Sequence, residues 1–225
     1  GKPESEPYFD QLMTLFRPSE AQTPSVTVQT AADHMADTAL QAGDTTMFRQ
    51  FLGDFLYYLA PKSGQEAKEG MKYLIDNYIS GRNDIWKSKD DSLKVIGFAQ
   101  IMDDLLSKAL PGSRIPDLKV PGDLLRHEKK IKTGRFNLSK IRGERNVIIF
   151  YTEGCDICDA EKAAARKLVA ESSKFRVMMV NVDRIVASDP ALANRLFGSF
   201  DLSSLPFIIE TDRKGMILRR YITLQ

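Results

Sequence analysis

Cys155 and Cys158 are the only cysteines in the 225-residue chain, and they stand in the order Cys-Asp-Ile-Cys. Two thiols at i and i+3 across the first turn of a helix meet disulfide geometry without distorting the backbone. The first sulfur then faces the free N–H groups of the helix start, where the macrodipole favours a thiolate. A cysteine held as thiolate attacks disulfides readily near neutral pH. The pair therefore points to thiol–disulfide exchange, with Cys155 as nucleophile and Cys158 as the thiol that resolves the mixed disulfide. Metal chemistry fits poorly. A zinc ribbon needs four ligands, there is no second cysteine pair, and His34 and His127 have no ligand spacing around them. A disulfide-stapled fold would need several bridges between distant segments.

The elements that must hold such a pair are legible on both sides of it. Residues 146–151 (Asn-Val-Ile-Ile-Phe-Tyr) are a short β-branched and aromatic run, which reads as a buried strand. Residues 159–170 are Ala-rich and helical, so the cysteines sit on a strand-to-helix turn. A second buried strand covers 175–181, and Asp189 followed by Pro190 marks a helix start. Strands over 206–210 and 216–222 are joined by a turn ending at Gly215, where positive φ is cheap. The order after the cysteine-bearing strand is thus β-α-β-α-β-β. The basic run 126–132 reads as a solvated loop.

Upstream the period changes. Val28, Ala31, Ala32, Met35, Ala39 and Leu40 recur at helical spacing. A second helix, capped by Asp44 or Thr45, carries Met47, Phe48, Phe51, Leu52, Phe55, Leu56 and Leu59 until Pro61 stops it. A third holds Ala67, Met71, Leu74, Ile75 and Tyr78, and a fourth starts after Asp90 and Asp91 and runs through Leu93, Ile96, Phe98, Ile101, Leu105 and Leu110. The expected organisation is a flexible lead-in over 1–25 with one helical turn, an all-α helical bundle over 26–110, and an α/β domain over 111–225. Pro111, Pro116 and Pro121 punctuate the joint.

Residues from about Gly112 onward resemble the thioredoxin-like thiol–disulfide oxidoreductases of the TlpA/ResA type. The likeness is carried by Gly112, Ser113, Arg114, Ile115, Pro116 and Asp117, by 136–139 with Arg142 and Gly143, and by 147–158 through the cysteine pair. Leu205 and Pro206 stand where that family places its cis-proline. The resemblance implies an α/β thioredoxin-like fold over 111–225, preceded by the helical bundle. It implies an active-site role for Glu161, one helical turn beyond Cys158, as a proton relay to the Cys158 sulfur. It also implies a substrate-facing surface made of Gly154, Asp156, Ile157, Leu205 and Pro206. Three positions depart from the family: Gly154 replaces the usual Trp, Ile157 the common Pro, and Ile149 the buried acid of typical thioredoxins.

The expected activity is reduction of disulfide-containing protein substrates, with an upstream thiol reductase as electron donor and no cofactor. Asp156 beside the nucleophile disfavours the thiolate, which suits a reductase more than an oxidase. The alternative is a binding or redox-sensing module with a regulatory or vestigial dithiol. Similar proteins are exported and often lipid-anchored, so an extracytoplasmic location is expected from the resemblance. No apolar stretch approaches the roughly 20 residues that cross a bilayer. The formal charge of +2 gives no reason to expect nucleic acid. That balance is uneven along the chain. Residues 1–110 hold 11 basic and 16 acidic side chains, whereas 111–225 hold 21 and 14.

Overall fold

The computed structural model describes residues 4–20, 23–86 and 90–225. They divide into two compact units, 1–107 and 108–225.

The first unit is helical: α1 (Glu6–Phe16), α2 (Val26–Gln41), α3 (Thr45–Leu59), α4 (Gln65–Leu74), a π turn over Ile75–Ile79, and α5 (Asp90–Leu106). α1 lies within the stretch that composition reads as a lead-in. Its Phe9 is buried and stacks on Phe55 and Tyr58 of α3, with ring centroids 4.9 and 5.2 Å apart. A single apolar face, Phe9, Leu12 and Met13, is enough to dock a three-turn helix whose flanks are polar. α2 presents the small residues Ala31, Ala32, Ala36 and Ala39 to the core. The close approach of α2 and α4 depends on Gly70, where a Cβ would stand 2.4 Å from Val28 Cγ2. α3 is capped by Asp44, whose carboxylate accepts from Met47 N at 3.0 Å. α5 ends before Leu110, and its Leu93 and Ile101 are exposed instead of facing the core. The expected capping side chains of Asp90 and Asp91 lie outside the described residues.

The second unit is a six-stranded mixed sheet in the order β2-β1-β4-β3-β5-β6. The strands are β1 (Lys119–Leu125), β2 (Lys132–Asn137), β3 (Arg145–Tyr151), β4 (Phe175–Asn181), β5 (Phe207–Asp212) and β6 (Ile217–Arg220), and only β3 and β4 pair in parallel. The all-apolar run of β3 is split by the pleat. Ile148 and Phe150 join one core with Met178, Val180, Ile185, Leu192 and Leu196. Val147, Ile149 and Tyr151 join the other with Val177, Met179, Ala165 and Cys158. Helices therefore cover both faces: α6 (Asp156–Glu171) on the second, α7 (Val182–Ser188) and α8 (Pro190–Ser199) on the first. Burial on both faces is what requires continuous hydrophobicity in a central strand.

A β1–β2 hairpin occupies the stretch whose prolines suggest a loop-rich joint. Pro121 and Gly122 hide it. Pro121 tolerates its place because β1 pairs with β4 only through Asp123, Leu124 and Leu125. Gly122 is needed where it is, since a Cβ there would lie 2.5 Å from the Met179 carbonyl oxygen.

Candidate active site

β3 ends at Tyr151, and the chain turns through 152–154 into α6. Gly154 has φ +66°, and a Cβ there would meet nothing within 4 Å. Glycine is therefore favoured here by the backbone, not by crowding. Cys155 has φ −117° and ψ 110°, and its Sγ accepts a hydrogen bond from Cys158 N at 3.1 Å. The nucleophile expected from sequence is thus the N-cap of α6 and faces the helix start.

The two cysteines form a disulfide with Cα atoms 5.2 Å apart. Their exposures differ sharply. Cys155 is partly exposed, whereas Cys158 is fully buried among Val147, Ile149, Tyr151 and Ala165. Ile149 shares the core behind the pair that Cys158 joins, and it brings no acid there. Asp156 and Ile157 are exposed beside Cys155, with Ile157 at 63%. The Leu205–Pro206 peptide bond is cis and leads directly into β5. Phe150 pairs with Phe207, so continuing the antiparallel register brings Pro206 level with Tyr151, at the sheet end from which the cysteine turn emerges.

Glu161 is buried, at 3% exposure, on the helix turn after Cys158. Its hydrogen bonds go to the end of the chain. Thr223 Oγ1 donates to Oε1, Leu224 N donates to Oε2 at 2.8 Å, and Gln225 Nε2 donates to Oε1 at 3.3 Å. Leu224 packs against the same core as Cys158. Glu161, expected as a proton relay, is thus bonded to residues 223–225, a contact that no local spacing signals.

A second network was also missed. The Asp183 carboxylate accepts from Thr152 Oγ1 and from Glu153 N at 3.1 Å. Asn181 Nδ2 donates to Glu153 at 2.7 Å, while its Oδ1 accepts from Arg184 N and caps α7. The start of α7 thereby holds the loop that carries Cys155. The hydroxyl and amide on Asp183 hold its carboxyl below the usual carboxylate range. Tyr151, at the strand end, has its phenol pushed up, chiefly by burial, and the Lys162 ammonium lies 4.2 Å from its ring centroid. No local spacing signals Asp183, because it lies 31 residues from Thr152.

No family model and no curated protein matches the chain. Among solved structures, a thioredoxin-like protein from Bacteroides caccae aligns over 98% of this chain and 80% of its own, at 11% identity and a TM-score of 0.56. The fold is thioredoxin-like. Two of the other alignments, each covering about half of this chain, are with proteins named for thiol–disulfide chemistry. One is the thioredoxin domain of a thiol-disulfide oxidoreductase from Bacteroides vulgatus, with 51% of this chain, 89% of its own, 14% identity and a TM-score of 0.33. The other is a putative thiol:disulfide interchange protein DsbE from Chlorobium tepidum, with 52%, 87%, 18% and 0.34. In this thioredoxin-like unit the cysteine pair has CxxC spacing and stands at disulfide distance on the turn from β3 to α6.

Proposed function

We propose that the sheet-bearing unit is a thiol–disulfide oxidoreductase that reduces disulfides in protein substrates. The observation that carries this reading is the asymmetry of the pair: Cys155 caps α6 and is partly exposed, and Cys158 waits fully buried one turn on. In the reduced enzyme the Cys155 thiolate attacks one sulfur of the substrate disulfide, forms the mixed disulfide and expels a substrate thiolate. Cys158, losing its proton, then attacks Cys155 Sγ. That releases the second substrate thiol and leaves the Cys155–Cys158 disulfide. Two electrons pass to the substrate, and a dithiol reductase upstream returns them to the pair.

Each neighbour has a place in this scheme. Leu205 and cis Pro206 offer an extended edge on which a substrate strand pairs. Gly154, Asp156 and Ile157 form the rest of the contact surface, with Ile157 supplying apolar area. Asp156, with Glu153 and Asp159 close in sequence, opposes negative charge on Cys155, which favours the reducing direction. Glu161, oriented by the tail, exchanges a proton with Cys158 as the mixed disulfide resolves. The TlpA/ResA subtype, an extracytoplasmic location and a lipid anchor in the precursor belong to the same reading and rest on the resemblance alone. Among the described residues no helix is long and apolar enough to cross a membrane.

Insulin reduction with dithiothreitol as donor, followed by turbidity, is the direct test. The wild-type chain accelerates precipitation and Cys155→Ser does not. A wild-type chain no faster than the Ser variant would remove the enzymatic reading and leave a binding or sensing module.

A further inference from the structure

At the opposite end of α6 from the dithiol lies a cleft of about 210 Å³ between the β1–β2 turn and the helix. Arg166 is eleven residues beyond Cys155, which is about 16 Å along a helix at 1.5 Å per residue. Arg126, Lys129 and Arg166 line this cleft, and Leu125 and Val169 supply its apolar wall. None of the three cations has an ion pair among the described residues. Arg126 Nε is buried and has no hydrogen-bond partner among them. A desolvated guanidinium N–H without an acceptor is costly, and no group among the described residues offsets that cost at Arg126.

The obvious internal explanation is only partial. Carbonyls at a helix C-terminus attract cations, but two of those at the end of α6 already have donors. Ser172 N donates to Leu168 O at 3.1 Å, and His127 Nδ1 bonds Val169 O at 2.8 Å. The His127 bond also ties the turn to the helix. Glu128, the one carboxylate at the rim, lies 3.4 Å from His127 Nε2. The turn adds Lys130 and Lys132, with Ile131 between them 54% exposed. Much of the excess positive charge of residues 111–225 therefore collects at this end of the sheet.

We infer that the cleft between the β1–β2 turn and α6 is a binding site for a phosphate group that carries an apolar neighbour. Arg126 and Arg166 present planar N–H forks suited to phosphate oxygens, and Lys129 adds a point charge. Leu125, Val169 and the exposed Ile131 receive the attached carbon skeleton. The volume is below the 300–1,000 Å³ typical of whole-ligand pockets, so it admits a headgroup and leaves the rest of the molecule outside. A soluble phosphate ester and an anionic phospholipid present the same chemistry here. The site stands apart from the redox reading, because none of its residues belongs to the dithiol machinery.

The test uses the full chain. Glycerol phosphate is titrated by calorimetry, and vesicles of pure phosphatidylcholine or of phosphatidylcholine with phosphatidylglycerol are sedimented with the protein. Arg126→Gln and Arg166→Gln are each expected to weaken binding by about tenfold, the size of one lost charge-assisted contact. Lys214→Gln, which removes an exposed cation from the distant β5–β6 turn, should change it less than about twofold. Calorimetric binding sensitive to the arginine variants identifies a soluble ester. Binding only to the anionic vesicles, with the same sensitivity, identifies a lipid headgroup. No binding to either probe, or equal losses in all three variants, overturns the site. Insulin reduction measured on the same variants should be unchanged, which separates this outcome from failure of the redox reading.

Discussion

In the helical unit tyrosine hydroxyls close on carboxylates of neighbouring helices, whereas in the sheet unit one helix start is given to a cysteine sulfur. Tyr58 donates to Asp10 at 2.6 Å, and Tyr73 and Tyr78 both donate to Asp33, at 2.8 and 2.5 Å. Burial and these carboxylates push the phenols upward, Tyr73 to about 12. Trp86 Nε1 donates to the Tyr78 carbonyl at 2.7 Å. The tyrosine bonds tie α3 to α1, and α4 and the π turn to α2. In the sheet unit the helix caps tell a different story. Asn181 and Asp189 cap α7 and α8 with oxygen, as Asp44 caps α3, but α6 is capped by the Cys155 sulfur. Sulfur is a weak acceptor, and an oxygen cap contributes about 1 kcal/mol. Under the proposed function, that place is given to a thiol because the position is held for chemistry.

The sharpest way to break this comparison is Cys155→Ser. Insulin reduction should fall to background, at least about a thousandfold, because the attacking atom is gone. The variant should nevertheless be more stable than the reduced wild type by about 0.5–1 kcal/mol in chemical denaturation, since Ser is the better cap. A less stable variant would show that the sulfur is not a compromise. The converse change is Gly70→Ala in the helical unit. The added methyl meets the Val28 Cβ at 2.8 Å as well as its methyls, and overpacking of this kind costs about 1–3 kcal/mol. The helical transition should shift in calorimetry while the reduction rate holds.

Glu161→Gln probes the polar group that joins the two themes, being buried and bonded yet next to the dithiol. An amide that turns its NH2 toward Leu224 N loses an acceptor, so amide exchange over residues 223–225 should rise several-fold. Reduction should slow about tenfold with a flattened profile between about pH 5 and 9 if the carboxyl moves a proton. Faster tail exchange with an unchanged rate profile would confine Glu161 to holding the tail.

Asp183→Ala is expected to have the smallest effect. Loss of the Thr152 and Glu153 anchors should lower kcat/KM about two- to fivefold without unfolding the sheet. The wild type should show the same loosening in acid. The folded carboxyl titrates below its unfolded value of about 4, so its contribution is complete above that value and is lost as pH falls through the lower folded one. Loop exchange at residues 152–154 that is insensitive to pH below 4 would count against the anchor.

What the sequence made legible was local. The run from Asn146 to Cys158 gives strand, turn and cap within thirteen residues, and each part has its own period or propensity. What it concealed was non-local or atypical. The β1 strand contains Pro121 and Gly122 because its pairing with β4 is partial and close, and neither cause is visible from β1 alone. The α1 helix is short and ringed by polar residues, and only the aromatic face of α3 makes it worth folding. The Glu161 contact spans more than sixty residues and ends on a backbone amide, for which no residue type is a marker.

The bond from Cys158 N to Cys155 Sγ has a practical consequence. An amide whose acceptor is a cysteine sulfur must sense each change in what that sulfur is bonded to. The nitrogen-15 resonance of Cys158 should therefore occupy distinct positions in the dithiol, mixed-disulfide and disulfide forms. One isotopically labelled residue would then act as an internal gauge, from which the fraction oxidised can be followed in real time without a dye or a coupled enzyme.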